Sequence, residues 1–212
     1  MKKIFLSLYL SVISLAAVSA DQFIVFKPAT NHFPLITEGK PCPIRIDAGE
    51  DKGVKMAVEN LIQDISNVCG IKPEMTTDIN SKRQILIGTY QTPLIRQLLL
   101  SSGKLEKKEL EGKREKYILQ VVSAPCEGVD EALVIVGSDK RGTIYGIYEL
   151  SRQMGVSPWY WWADVPVAKQ KNVYVKPGIY TDGEPKVEYR GIFLNDEWPC
   201  LGNWSKEKFG GF

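Results

Sequence analysis

Residues 133–166, LVIVGSDKRGTIYGIYELSRQMGVSPWYWWADVP, constrain the fold more than any other run of the chain. They open with an apolar strand-like stretch ending at Gly137, turn through Ser138, Asp139, Lys140 and Arg141, and continue in a helical pattern that stops near Gly155. Four aromatic residues in a row follow: Trp159, Tyr160, Trp161 and Trp162. Ring surface concentrated in this way either fills a domain junction or faces a ligand.

The preceding sequence repeats the alternation of strand and helix. Residues 23–26 and 44–46 read as short strands. Residues 51–69 form the clearest helix, with Val54, Ala57, Val58, Leu61, Ile62, Ile65 and Cys69 recurring at helical spacing. Asp51 is placed to cap its start, and Gly70 with Pro73 beyond closes it. Its apolar face needs a sheet to cover. QILIG at 84–88 reads as a strand buried on both faces, and Thr92-Pro93 opens a short helix through Leu100. Residues 104–116, dense in Lys and Glu, read as a solvated excursion. Residues 117–122 and 133–136 read as two strands around a turn with Pro125 and Gly128. The helix after them presents Ile144, Ile147, Tyr148, Ser151 and Met154 on one face. The fold class is therefore α/β, a mixed sheet with packed helices.

The first twenty residues stand apart. Lys2 and Lys3 precede an almost wholly apolar stretch over 4–15, and small residues end it, with Val18 and Ala20 where a signal peptidase reads. The apolar core is shorter than the roughly 20 residues of a bilayer-spanning helix. A signal peptide over 1–20 is expected, hence a secreted or periplasmic product with no membrane attachment after the leader is removed. The α/β domain is expected over 21–176, and a Gly- and Pro-containing linker over 177–186.

Composition and the reactive residues exclude several classes of function. The 27 Lys and Arg against 25 Asp and Glu leave a net charge of +2, which gives no ground for a nucleic-acid partner. Cys42, Cys69, Cys126 and Cys200 lie far apart with no C-x-x-C pair, and His32 is the one histidine, so common zinc patterns are absent and no metal is expected. Four thiols in an exported chain permit three disulfide connectivities, and buried free cysteines fit equally well. His32 sits in a Pro-flanked polar segment, where a triad base is not expected. GSDKRGT at 137–143 has the spacing of a phosphate loop but carries Thr143 where the phosphate-binding lysine belongs. It reads instead as a capped helix start, with Gly142 and Gly146 letting the helix lie close to the sheet.

After the linker comes VEYRGIFL at 187–194, an apolar strand-like run followed at once by Asn195, Asp196 and Glu197. Acidic groups at the C-terminal end of a buried strand are where α/β barrels carry their chemistry. Strand alternation allows at most one of Asp196 and Glu197 to face a given substrate atom, and a bland role in capping the helix that follows is also open. Arg190 reads as a structural ion-pair partner.

The two stretches GSDKRGTIYGIYELSRQMGVSPWYWWADVPV and VEYRGIFLNDEWPCLGNW, in this order and at this separation, resemble the N-terminal part of glycoside hydrolase family 115, the xylan α-1,2-glucuronidases. RGTIYGIYEL is also similar to a segment of the accessory domains that precede the barrel in α-glucuronidases and hexosaminidases. The resemblance implies an accessory α/β domain before a (β/α)8 barrel whose first strand covers about 189–194. It further implies inverting removal of glucuronic acid, or its 4-O-methyl ether, from glucuronoxylan or its oligosaccharides with no cofactor. Asp196 and Glu197 become the catalytic candidates, and Asn195, Asp196, Glu197, Trp161 and Trp162 the substrate-binding ones. A barrel takes about 250 residues, so 187–212 are expected to hold only its start. The chain is then a piece of a longer product, inactive alone, and homo-oligomerisation of the full-length protein stays open. The competing reading is a non-catalytic carbohydrate-binding or scaffold module that stacks sugars on its tryptophans.

Overall fold

A computed structural model describes residues 22–78, 81–102, 105, 107–195 and 200–211. In chain order its elements are β1 (Ile24–Val25), β2 (Phe33–Thr37), β3 (Lys40–Pro41), β4 (Ile44–Ile46), α1 (Lys52–Cys69), β5 (Met75–Thr76), β6 (Arg83–Thr89), α2 (Pro93–Ser102), β7 (Tyr117–Cys126), β8 (Val129–Gly137), α3 (Lys140–Gln153), α4 (Tyr160–Ala163), β9 (Val173–Val175), β10 (Ile179–Tyr180) and α5 (Leu201–Phe209). A single 3₁₀ turn covers Lys107–Glu109.

The main sheet has the order β10-β7-β8-β6-β4-β5. β5, β4, β6 and β8 run parallel, while β7 and β10 add an antiparallel edge. Alternation along the central strands sends Ile85, Ile87, Leu133 and Ile135 to one face, and Leu86, Val134 and Val136 to the other. Both sets are fully buried because helices cover both faces, which is why these strands are apolar throughout. On the first face lie α1, α3 and a small antiparallel sheet of order β1-β9-β2-β3. Ile95 of α2, Leu105 and Leu110 close the second face.

Local chemistry sets the helix ends. Asp51 accepts a hydrogen bond from Gly53 N at 2.7 Å and caps α1, and Gly70 at φ 89° ends it. Asp139 accepts from Gly142 N at 2.8 Å and caps α3. A Cβ added at Gly142 would stand 2.3 Å from the Lys116 carbonyl oxygen, and one at Gly146 would stand 2.9 Å from Ile135 Cγ2. The two glycines thus let α3 lie against β7 and β8. Thr143, at the position a phosphate loop gives to lysine, is buried and exchanges a hydrogen bond with Thr89 at 3.2 Å.

Several expectations change. The buried face of α3 is centred on Thr143, Gly146, Ile147 and Leu150, while Tyr148 turns outward to accept from Asn60. The glycines occupy the sheet side without adding any apolar signal, so the expected face was rotated by about one residue. The turn expected around Pro125 shrinks to residues 127–128, with Pro125 inside β7 beside a bulge. The excursion at 104–116 is not simply solvated: Leu105 and Leu110 fill the second core, and Glu115 and Lys116 are buried. Ile179 and Tyr180, inside the stretch expected as linker, pair with β7. The expected barrel strand is not formed. Residues 187–194 are irregular, and Tyr189, Ile192 and Phe193 are largely exposed. A parallel strand exists only with neighbours to complete its ladder, and among the described residues none flanks this segment. Cys42, Cys69, Cys126 and Cys200 are free thiols.

Candidate functional site

The polar strap that leaves the α/β domain is held by the loop before β7. Tyr117 donates to Asp182 at 2.5 Å, Arg114 N donates to Glu184 at 2.9 Å, and the Arg114 guanidinium donates to Pro185 O at 2.9 Å. Burial, reinforced by the Asp182 carboxylate, pushes the Tyr117 hydroxyl pKa well above the ordinary phenol range. Arg190 then anchors the next stretch: its guanidinium binds the buried Glu115 carboxylate and donates to Tyr145 Oη at 3.0 Å. Arg141 meets the other Glu115 oxygen at 3.3 Å and also lies over the Tyr145 ring. Arg190 is therefore the structural ion-pair partner expected from sequence, although it sits in irregular chain and strand parity is not what places it. Glu115, hidden in a run of surface-like Lys and Glu, gave no sign of this role.

The aromatic run forms the one-turn α4, and helical rotation splits it. Trp159 and Trp162, three residues apart, share a groove of about 410 Å³ with Pro158, Ile192 and Leu194. Trp162 stacks on Trp204 of α5 at 4.6 Å between ring centres and 17° between planes, and Phe209 meets Trp204 edge-on at 5.2 Å. Lys208 of α5 binds Asp164 at 2.5 Å, closing α5 against the end of α4.

Of the residues expected at a substrate pocket, Trp162 lines the groove, whose lining ends at Leu194, one residue before Asn195 in the chain. Trp161 does not join it and lines a separate cavity beside α1 and α3. Asp196 and Glu197 lie outside the described residues. Asn195 is exposed.

That second cavity contains polar groups the sequence reading passed over. Asp64 falls on the buried side of α1 between Leu61 and Ile65, at a position where the helical period calls for an apolar residue. That misfit is the signal that could have drawn notice to it. Burial holds its carboxyl above the ordinary range; the nearby Ser151 hydroxyl opposes the shift, although the two are not in hydrogen-bonding geometry. Among the described residues no three His, Cys, Asp or Glu side chains come together as a metal site, and no helix is long and apolar enough to cross a membrane.

Comparison with known proteins gives these arrangements a context. Residues 40–150 match the family model of the glycosyl hydrolase family 67 N-terminus, and residues 182–212 match that of glycosyl hydrolase family 115. No curated protein matches the sequence. Among solved structures, the chain is similar to BtGH115A, a family GH115 4-O-methyl-α-glucuronidase with specificity for decorated arabinogalactans. Identity is 35%, the TM-score is 0.67, and the match covers 84% of this chain and 22% of that enzyme. A Flavobacterium johnsoniae chitobiase matches at 16% identity and TM-score 0.43, over 82% of this chain and 21% of its own. A Streptomyces plicatus β-hexosaminidase matches at 14% and 0.42, over 73% and 24%. Residues 40–150 thus form a domain of the family 67 N-terminus kind, and the chain belongs to glycosyl hydrolase family 115.

Proposed function

We propose that this chain is the N-terminal portion of an exported, inverting α-glucuronidase that hydrolyses the α-1,2 bond between glucuronic acid, or its 4-O-methyl ether, and a plant polysaccharide. The supporting observation is the 35% identity over 84% of the chain to a 4-O-methyl-α-glucuronidase, with the family 115 match running through Asn195, Asp196 and Glu197. Family resemblance names xylan as the polysaccharide, while the similar enzyme acts on decorated arabinogalactans.

Inversion requires an acid and a base roughly 6.5–9.5 Å apart, with a water between them. Asp196 and Glu197 are adjacent in the chain and serve one side of that arrangement on this reading. The α/β domain then acts as a mount. Glu115 and Arg190 fix the strap five residues ahead of Asn195, and Trp162 with Trp204 fixes the surface beside it. Export rests on the leader-like first twenty residues.

The test is release of uronic acid from glucuronoxylan and from glucuronic acid-decorated arabinogalactan. The longer gene product should release it with the β anomer formed first, whereas residues 21–212 alone should release none. No release from either polysaccharide by the longer product would end the glucuronidase reading, and release by residues 21–212 would end the claim that a second part is needed. A first-formed α anomer would end inversion.

A further inference from the structure

A cavity of about 270 Å³ opens between α1, α3 and the loop leading into α4. Its inner wall is polar. Ser151 is 3% exposed and its hydroxyl has no hydrogen-bond partner among the described residues; Asp64, 5% exposed, lies on the same wall. A buried hydroxyl without a partner is destabilising, and a ligand hydroxyl entering the cavity would supply the missing partner. The outer wall is aromatic, from Tyr148 and Trp161, each somewhat under half exposed. Such a cavity suits a small ring with a C–H face to stack and hydroxyls around its edge.

We propose that this cavity binds a single neutral pyranose ring, with Trp161 and Tyr148 against its face and Asp64 and Ser151 taking its hydroxyls. A uronic acid is disfavoured for two reasons. The one guanidinium at the rim, Arg152, is engaged by Glu149 through two hydrogen bonds of 2.6 and 2.7 Å. An ionised Asp64 would also face the uronate carboxylate across a poorly hydrated space, where like charges repel strongly. Neutral sugars meet neither obstacle. The cavity would therefore hold an undecorated unit of a polysaccharide and leave the uronate to another site. This inference uses no part of Asn195, Asp196 or Glu197 and does not depend on hydrolysis.

The experiment is an NMR titration of the intact 212-residue chain, following the Trp161 indole N–H. The probes are methyl glycosides of xylose, galactose and arabinose, with sodium glucuronate as the charged comparison. At least one neutral glycoside should shift the Trp161 signal in a saturable way, and glucuronate should bind at least tenfold more weakly. Trp161→Ala, followed through the backbone amide signals of the cavity-lining Ser151 and Ser157, should lower the affinity about fivefold, and Asp64→Asn should lower it by a similar factor. Trp159→Ala, which borders the other groove, should leave it unchanged. If no neutral glycoside moves Trp161, if glucuronate binds as tightly, or if Trp161→Ala binds like the parent, the proposal is overturned. Trp161 is about half exposed, so its variant tests the stacking contact independently of the buried Asp64. Failure to release glucuronic acid would remove the hydrolytic reading and leave this one standing.

Discussion

Gly142→Ala tests the assignment of the 137–143 turn to close packing. A Cβ at this position would lie 2.3 Å from Lys116 O, 3.0 Å from Lys116 C and 3.1 Å from Glu115 C. These are backbone atoms with little freedom to retreat. Lys116 O already accepts from Ser138 N at 2.9 Å, and Glu115 N donates to Asp139 Oδ2 at 2.8 Å. An ordinary carbon contact of about 3.5 Å requires α3 and β7 to separate by roughly 1 Å. Overpacking of this kind costs about 1–3 kcal/mol, and straining the Ser138 hydrogen bond adds about 1 kcal/mol. Alanine's better helix propensity returns up to about 1 kcal/mol. We expect a net loss of about 2–3 kcal/mol by urea unfolding, or roughly 4–12 °C in Tm for a domain of this size. Gly146→Ala should cost less, because Ile135 Cγ2 and the Tyr117 side chain can yield. Gly202→Ala in α5, where no atom lies within 4 Å, should be neutral or slightly stabilising. A Gly142→Ala protein within about 0.5 kcal/mol of the parent would refute the close-packing argument.

Asp64→Asn should raise stability at pH 8 and leave it unchanged near pH 3. The folded carboxyl is raised by burial, so its favourable contribution is present at low pH and is lost as pH rises through the folded value; a Tm difference independent of pH would contradict this. Arg190→Ala should speed proteolysis within 187–194 while cleavage elsewhere keeps its rate, since only this strap loses its hold on Glu115. Cleavage at the parental rate would show that the ion pair does not tether it. Iodoacetamide at pH 8 should label exposed Cys200 first and spare Cys42, whose thiol is pushed up to about 12 by burial. Equal labelling rates, read by peptide mass spectrometry, would contradict that order.

What could be read from the sequence was local. The Asp51 cap, the Gly70 stop and the doubly buried β6 each depend on a few neighbouring residues, and each formed as expected. The phase of α3 was harder to read, because Gly142 and Gly146 face the sheet by lacking a side chain. The segment at 187–194 has strand-like residues, yet a strand is a relation between segments, and that relation is not in the run itself. The same limit applied to the site. The split between Trp162 and Trp161 follows from helical rotation once α4 is known to be a helix, whereas the link from Glu115 to Arg190 spans 75 residues and leaves no local pattern. The Asp64 cavity was half-visible, as an acid in an apolar register.

β1 has consequences for the order in which the domain is made. Ile24 and Val25 pair with Val175 and Tyr174 of β9, and the Phe23 ring stacks on Tyr180 at 4.5 Å. At a synthesis rate of about 5–20 residues per second, the partner of the first strand emerges roughly 10–30 s after it. Through that interval the opening segment has no β9 ladder to join, and the small sheet stays unfinished. The first strand made is thus the last of the small sheet to be sealed.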